Sequence, residues 1–260
     1  MKMNILNLIN EEDAYFYGLL LTDGNCYLQS RNKGRVSLEL IDKDIIDKID
    51  KRYDGNTSNR TRDTNFKKNV STFIWCNSKI EFRSELFTYG FPSGNKQYLQ
   101  NIPNIDFNQK GFWRGVIDGN GSLGMTGRNI PFLSLGTKSE FLKTDWEIFL
   151  KNNFNILKKN NRNARDSFYN ILITKEDAQK VSFYLYDKST LNIKRKYESY
   201  LSMMKWKRPF GMKKLSKAKR WNNFEDKYIL NHSLENSCKK LERSKSSVKN
   251  RVFRLKHGAI

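Results

Sequence analysis

The sequence is short of the residues that build most compact metal or disulfide sites. Its three cysteines, Cys26, Cys76 and Cys238, are scattered, and no CxxC pair occurs. That argues against a zinc knuckle and fits a reduced compartment. Two histidines, His232 and His257, are too few for a His-rich metal centre, which disfavours nuclease folds that pair histidines with cysteines. No run of ~18 apolar residues is present. The longest apolar stretch, Ala14–Leu21, is broken by Gly18 and too short to span a bilayer. The first residues lead into Glu11, Glu12 and Asp13 without a signal-peptide pattern. Acid is scarce too: 27 Asp and Glu stand against 48 Lys and Arg, a formal charge of +21. Such a surface attracts polyanions, nucleic acid first, with an anionic membrane surface as the competitor.

The residues that are present suffice for packed cores. Hydrophobic residues make up 38% and aromatics 13% of 260 residues, a length that allows one to three compact units. The chain also repeats itself. FYGLLLTDGN (Phe16–Asn25) and FWRGVIDGNGS (Phe112–Ser122) align at an offset of 97, which sets Gly18 on Gly115, Thr22 on Gly119, Asp23 on Asn120 and Gly24 on Gly121. A single repeat at that distance indicates a duplicated domain.

The stretches downstream of the two segments match coarsely. Strands are expected near Cys26–Ser30 and Arg35–Leu40, a helix at Asp42–Arg52 from the spacing of Ile45, Ile46 and Ile49, a strand near Ser71–Cys76 and a helix at Lys79–Tyr89. In the second half, strands are expected near Ser122–Thr126 and Pro131–Leu135, a helix at Ser139–Phe154, strands near Ile156–Lys158 and Phe168–Ile173, and a helix at Lys175–Tyr186. Each half reads as helix, hairpin, helix, hairpin, helix. Asn101–Phe107, with Pro103, reads as the connection between halves.

Gly18 and Thr22, like Gly115 and Gly119, are four apart and share a helix face. Small residues at this spacing let two helix backbones approach closely. If these helices pack face to face, their C-terminal ends lie side by side, with Asp23 next on one and Asn120 on the other. A carboxylate at a helix C-terminus opposes the macrodipole, and a divalent cation reverses that penalty. Oxygen donors of this kind suit Mg²⁺ or Mn²⁺, which could activate water and stabilise the leaving oxygen of a phosphodiester.

Both segments resemble the signature helix of LAGLIDADG homing endonucleases in their single-chain, two-motif form, over roughly Asp13–Met204. The resemblance implies an α+β fold of two pseudo-symmetric αββαββα halves, with sheets forming a saddle on the major groove of double-stranded DNA. It implies a site-specific, metal-dependent endonuclease acting as a monomer. It makes Asp23 a metal-binding carboxylate and puts Asn120 where the family usually has Asp or Glu. That departure predicts strand-biased cutting or nicking. Asp118 is no substitute, because two residues along a helix turns the side chain about 200° away. The family also has a basic residue late in each half. Lys96 and Lys196, 73 and 76 residues past Asp23 and Asn120, are the candidates, set to offset transition-state charge.

Side chains alternate along strands, so hairpin residues are candidates for reading or holding DNA. They are Arg31, Lys33 and Arg35 in the first half, with Arg60, Arg62, Lys67 and Lys68 near its second hairpin. Arg128, Lys138, Arg162 and Arg165 are their counterparts in the second half.

The C-terminal region, Lys188–Ile260, holds 21 Lys and Arg against 5 Asp and Glu. A basic linker with Pro209 and Gly211 precedes a helical pattern: Glu225–His232, with Phe224, Tyr228 and Ile229 apolar, Ser237–Leu241, and a third helix from Ser244. There Val248, Val252 and Leu255 form a stripe and leave Lys245, Lys249 and Arg254 on other faces. Trp221, Glu225–Asp226, Ile229 and RSKSSVKNRVFRL resemble a Myb/SANT-like helix-turn-helix. The domain reading is residues 1–100 and 109–204 for the halves, 101–108 between them, 205–220 as linker and 221–260 as a small all-α domain.

Two further readings stand beside the homing endonuclease: a non-cleaving DNA-binding regulator with a degenerate LAGLIDADG region, and an intron maturase. An intein is disfavoured, since the chain starts at Met1 and ends HGAI. The expected location is the cytoplasm or wherever the host DNA resides, including a phage-infected cell or organelle.

Overall fold

A computed structural model describes residues 6–28, 33–63, 68–157, 166–212 and 221–257. The chain divides into two compact units, Met1–Arg208 and Pro209–Ile260.

The first unit opens with α1 (Glu11–Asp23), β1 (Gly24–Leu28), β2 (Gly34–Leu40), α2 (Lys43–Arg52), β3 (Asn56–Arg62), β4 (Val70–Asn77) and α3 (Ile80–Thr88). It continues with α4 (Gln109–Asn120), β5 (Gly121–Met125), β6 (Pro131–Thr137), α5 (Glu140–Phe154), β7 (Tyr169–Thr174), α6 (Lys175–Tyr186) and α7 (Lys194–Met204). Two antiparallel sheets result, ordered β1-β2-β4-β3 and β5-β6-β7.

Local chemistry starts both central helices. Asn10 accepts from the N–H groups of Glu12 and Asp13 at the head of α1, and Asn108 accepts from Gly111 N–H at the head of α4, so orphan donors are satisfied. Every residue of α1 from Asp13 to Thr22 is buried, as expected of a helix apolar nearly all round. The two helices pack directly on each other. A Cβ on Gly18 would fall on the Phe112 carbonyl, and one on Gly115 on the Tyr15 carbonyl and within 2.8 Å of Leu19 N. Gly111 sits on the Glu11 carbonyl in the same way, and Gly119 on the Thr22 hydroxyl. Glycine is required here for proximity. Beyond the seam each helix anchors its own half. Phe16 stacks on Tyr53 at 4.2 Å and meets Trp75 edge-on at 5.1 Å. Trp113, its counterpart at the offset of 97, packs against Trp146 at 4.9 Å.

The expected first half agrees with the observed order of elements except at β3, which forms in a stretch where no strand was placed, and the second half departs from it twice. Among the described residues no strand forms at Ile156–Leu157 (Lys158 lies outside them). Instead Asn155 turns left-handed at φ 55° to end α5. Ile156 N–H then returns to the Leu150 carbonyl at 3.2 Å and the side chain is buried. This is a helix-ending reversal with its apolar latch, which uses up the residue that looked like the start of a strand. The second departure is α7, an additional helix where the sequence suggested only a basic segment.

The expected linker also begins later. Trp206 is buried, its carbonyl accepts from Gln179 Nε2 at 2.9 Å, and Arg208 holds Glu176. Residues 205–208 therefore belong to the first unit.

The second unit contains α8 (Asn223–Asn231), α9 (Leu234–Leu241) and α10 (Lys245–Lys256), so its middle helix is longer than Ser237–Leu241. Asn222 and Glu225 form a reciprocal capping box, and Ser233 and Ser244 cap the next two helices. Ile229, Leu241 and Val248 form the centre, with Trp221, Tyr228, Val252 and Leu255 packed round it. Phe224, apolar in the same stretch, is exposed. Glu225 and Arg243 make a buried pair at 2.7 Å, and the Arg243 guanidinium lies 3.9 Å over Trp221. Lys245, Lys249 and Arg254 are exposed.

The seam predicts a strong position dependence for glycine replacement. Gly115→Ala is expected to cost about 2 kcal/mol or more despite the helix-favouring methyl, seen as a lowered thermal midpoint. Gly127→Ala, where a Cβ meets nothing within 4 Å, should change stability by less than about 0.5 kcal/mol.

Candidate functional site

The close crossing brings the ends of α1 and α4 together. A Cβ on Gly119 would lie 3.4 Å from the Asp23 carboxyl carbon, so Asp23 reaches across to the residue before Asn120. Asp23 is exposed and Asn120 half-buried. Thr22, by contrast, is buried and donates back to Gly18 O and Leu19 O at 3.1 and 3.0 Å. Beside the helix ends is a cavity of about 430 Å³, lined by Thr22, Lys96, Asn120, Lys138, Phe168 and neighbouring polar residues.

Two lysines arrive at this point from opposite halves. Lys96 Nζ donates to Leu20 O at 2.7 Å. Lys196 Nζ donates to Ile117 O, Asp118 O and Gly121 O at 2.7, 2.5 and 2.9 Å. Cations at helix C-termini answer both the orphan carbonyls and the macrodipole. Loss of hydration pushes the Lys96 pKa down to about 7, opposed by Asp23 and Cys26. The same cause lowers Lys196. Asp23 keeps a solvent-facing edge, but crowding by protein atoms raises its pKa, against the pull of Lys196, Lys96 and Arg195.

Asp118 has a different environment. It is fully enclosed and accepts from Tyr15 OH at 2.7 Å, Tyr186 OH at 2.6 Å and Ile193 N–H at 2.9 Å. It ties α4 to the other half and to the start of α7, and it is spent on that task.

Fold comparison identifies the architecture. The fold matches that of LAGLIDADG homing endonucleases. The homing endonuclease I-WcaI, solved on its DNA recognition sequence, has a TM-score of 0.53 and 14% identity, covering 76% of this chain and 88% of its own. The LAGLIDADG meganuclease I-AabMI, solved with uncleaved DNA, has a TM-score of 0.50 and 11% identity, covering 75% and 89%. I-CpaMI, another LAGLIDADG meganuclease on uncleaved DNA, has 0.50 and 12%, covering 75% and 90%. No family model matches the sequence, and no curated protein does. No helix among the described residues is long and apolar enough to cross a membrane.

Within this LAGLIDADG fold, the residues singled out from sequence separate into two groups. Gly18, Thr22, Gly115 and Gly119 lie on the seam, while Asp23, Asn120, Lys96 and Lys196 meet at its end. Gly111 also lies on the seam; its register one turn earlier in α4 was the signal that could have revealed it. Gln100 is a further site residue that sequence alone did not expose. Its Nε2 donates to Leu21 O at 2.9 Å, and Thr137 Oγ1 donates to its Oε1 at 3.3 Å.

The sheet faces are unequal. On the first, Arg35, Arg60 and Arg62 lie on the side away from the core. Arg60 is held by Glu39 at 2.5 Å and Arg62 by the same carboxylate at 3.3 Å, so these two arginines are partly neutralised. Arg35 stands over Tyr27 at 6.0 Å, and Lys33 and Lys68 are exposed. The three strands β5, β6 and β7 carry no charged residue. Next to those strands, Arg128 lies in the β5–β6 turn and Lys138 lies 5.9 Å from the Tyr98 ring. Arg31, Lys67, Arg162 and Arg165 lie outside the described residues.

Among the described residues no group of three His, Cys, Asp or Glu converges. The donors on hand are the Asp23 carboxylate and the Asn120 amide oxygen. That set fits a hard divalent ion such as Mg²⁺, which keeps several waters and takes its remaining oxygens from a phosphate.

The raised Asp23 pKa carries a stability consequence. A carboxyl that holds its proton longer in the folded chain contributes most below the usual carboxylate range, and stability falls as pH rises through the raised value. In metal-free buffer at pH 7, Asp23→Asn should therefore melt above the parent protein. The difference should close in acid, below the usual carboxylate pKa; a variant that melts lower at pH 7 would contradict the assigned shift.

Proposed function

We propose that this protein is a site-specific endonuclease of the homing type, hydrolysing phosphodiester bonds of double-stranded DNA with Mg²⁺ or Mn²⁺. The observation that carries this reading is the meeting of Asp23, Asn120 and two lysines at the ends of two helices packed along glycines. In the reaction a water oxygen bonds to phosphorus, an ester P–O bond breaks, and the water proton ends on the leaving oxygen. Asp23 and Asn120 would hold the divalent ion, which neutralises phosphate charge and acidifies water when bound. Lysine ammonium groups offset negative charge developing on phosphorus-bound oxygen. The sheet faces, with Arg35, Lys33, Arg128 and Lys138, would hold DNA; alternation along β1, β2, β5 and β6 supports such a surface.

The Asp23/Asn120 pair makes the two strand-cutting events unequal, since an amide binds a cation without charge. A supercoiled plasmid carrying the target tests this. The target can be supplied by rejoining the sequences flanking the gene's insertion or by selection from randomised DNA. Nicked circles should accumulate before linear product, only with divalent metal. Asp23→Asn should slow cutting on the order of 100-fold or more and keep binding. Asn120→Asp should speed the slow strand. Simultaneous cutting of both strands would count against the bias. Metal-independent binding with no cutting would favour the regulator, a reading that Asn120 itself supports.

The second unit is proposed as a Myb/SANT-like helix-turn-helix adding a tethered grip on the same DNA. Its three short helices and the exposed Lys245, Lys249 and Arg254 support this. Replacing those three by Gln should weaken binding and flatten the slope of log affinity against log salt by up to about 0.9 per lost phosphate contact. An unchanged slope would remove these residues from the DNA surface.

A further inference from the structure

The strands of the two sheets carry a single carboxylate, Glu39 on β2. It lies on the face away from the core, alternating with buried Val36, Leu38 and Leu40. Arg60 and Arg62 on β3 share that face. An acid among exposed cations weakens the pull of such a face on a polyanion. The sheet does not need it as a tie, since β3 pairs with β4 along its whole length, Asn56 to Arg62. Exposed ion pairs also add little to stability.

The geometry of the contact suggests another task. Arg60 Nε donates to Glu39 Oε1 at 2.9 Å and Nη2 to Oε2 at 2.5 Å, so the carboxylate takes the side edge of the guanidinium. Thr72 Oγ1, on the strand between them, donates to Oε1 at 2.6 Å, and Arg62 Nε lies 3.3 Å from the same oxygen. Three side chains thus fix the carboxylate, and the hydrogen bonds from Arg60 hold its pKa below the usual range. The Glu39 side chain is 20% exposed and that of Arg60 is 55% exposed. A guanidinium has five N–H donors in a rigid fork. With its side edge on Glu39, the Nη1/Nη2 edge has no partner among the described residues. Two parallel N–H donors match O6 and N7 of guanine in the major groove. A phosphate on that edge would meet the Glu39 charge nearby, and the neutral edge of a base would not.

Resting on the endonuclease reading, which lays this face on DNA, we propose that Glu39 is a positioning residue for sequence recognition. It holds one edge of Arg60 and so aims the other at a guanine in the half-site on the first sheet. The second sheet has no charged residue in its strands and no such pair, so the two half-sites are read by different chemistry.

Selection from randomised DNA by the full-length protein, followed by binding to matched sites, tests the assignment without requiring cutting. Arg60→Gln should lose a guanine preference at one base pair. Glu39→Gln should weaken the same preference on the order of 10-fold, while its affinity for non-target DNA rises about 2-fold or more at low salt. Adding Glu39→Gln to Arg60→Gln should change discrimination no further. A merely structural Glu39 would instead lower affinity for all sequences alike. Discrimination is a ratio of two affinities of one sample, so partial unfolding of a variant cancels out of it. Glu39→Gln keeping the guanine preference would overturn the proposal, as would Arg60→Gln weakening every sequence equally. A parent protein that selects a sequence and never cuts it defeats the endonuclease reading alone, and the base profiles of the variants still decide the role of Glu39. A parent protein that selects no sequence defeats both.

Discussion

The contact between α1 and α4 is the constraint on which the first unit depends. Gly18, Gly111 and Gly115 each lie against a backbone carbonyl of the opposite helix, and Gly119 lies against Thr22. At this separation no side chain fits between the backbones, so the axes are held by shape rather than by a fillable core. Everything else hangs from the two outer faces. Phe16 gathers Tyr53 and Trp75, and Trp113 gathers Trp146 and Phe149. Polar groups brace the same seam: Arg114, fully buried, holds Glu11 across it at 2.6 Å, and Tyr15 holds Asp118.

That closeness also creates the site. Helix C-termini carry carbonyls without partners and partial negative charge. Two such ends side by side would be unfavourable without compensation. The chain compensates with Lys96, Gln100 and Lys196. Asp23 adds further negative charge where the field already opposes it, and its pKa rises accordingly. A carboxylate placed there costs stability in the metal-free chain once it ionises.

Duplication does not make the halves alike. Asp118 is enclosed by two tyrosine hydroxyls and a backbone N–H, an arrangement that Leu21, its partner at the offset of 97, cannot make. Helix α7, absent from the first half, carries Lys196 into the site and places Arg195 on Asp42 at 2.8 Å. The first half uses the segment after α3 instead, with Lys96 and Gln100 delivered by irregular chain. One half is capped from a helix and the other from a loop.

Much of this was legible in the residues themselves. The repeat, the small-residue spacing and the order of elements in the first half all come from local patterns, because helix and strand periods write directly into sequence. Asp23 and Asn120 stood out by the same logic, as the residues closing two matching segments. Other features needed the folded chain. Ile156 looked like a strand residue until its reversal onto Leu150 was seen, and Gln100 carried no local sign of its reach to α1. Arg60 and Arg62 stood out only as hairpin cations; pairing of β3 with β4, and β4 with β2, sets them on Glu39. By itself, the sequence determined which segments form elements and which residues end the paired helices. Only tertiary structure decided which polar groups are spent on each other, since hydrogen-bond and ion-pair partners are chosen by distances between segments far apart in the chain.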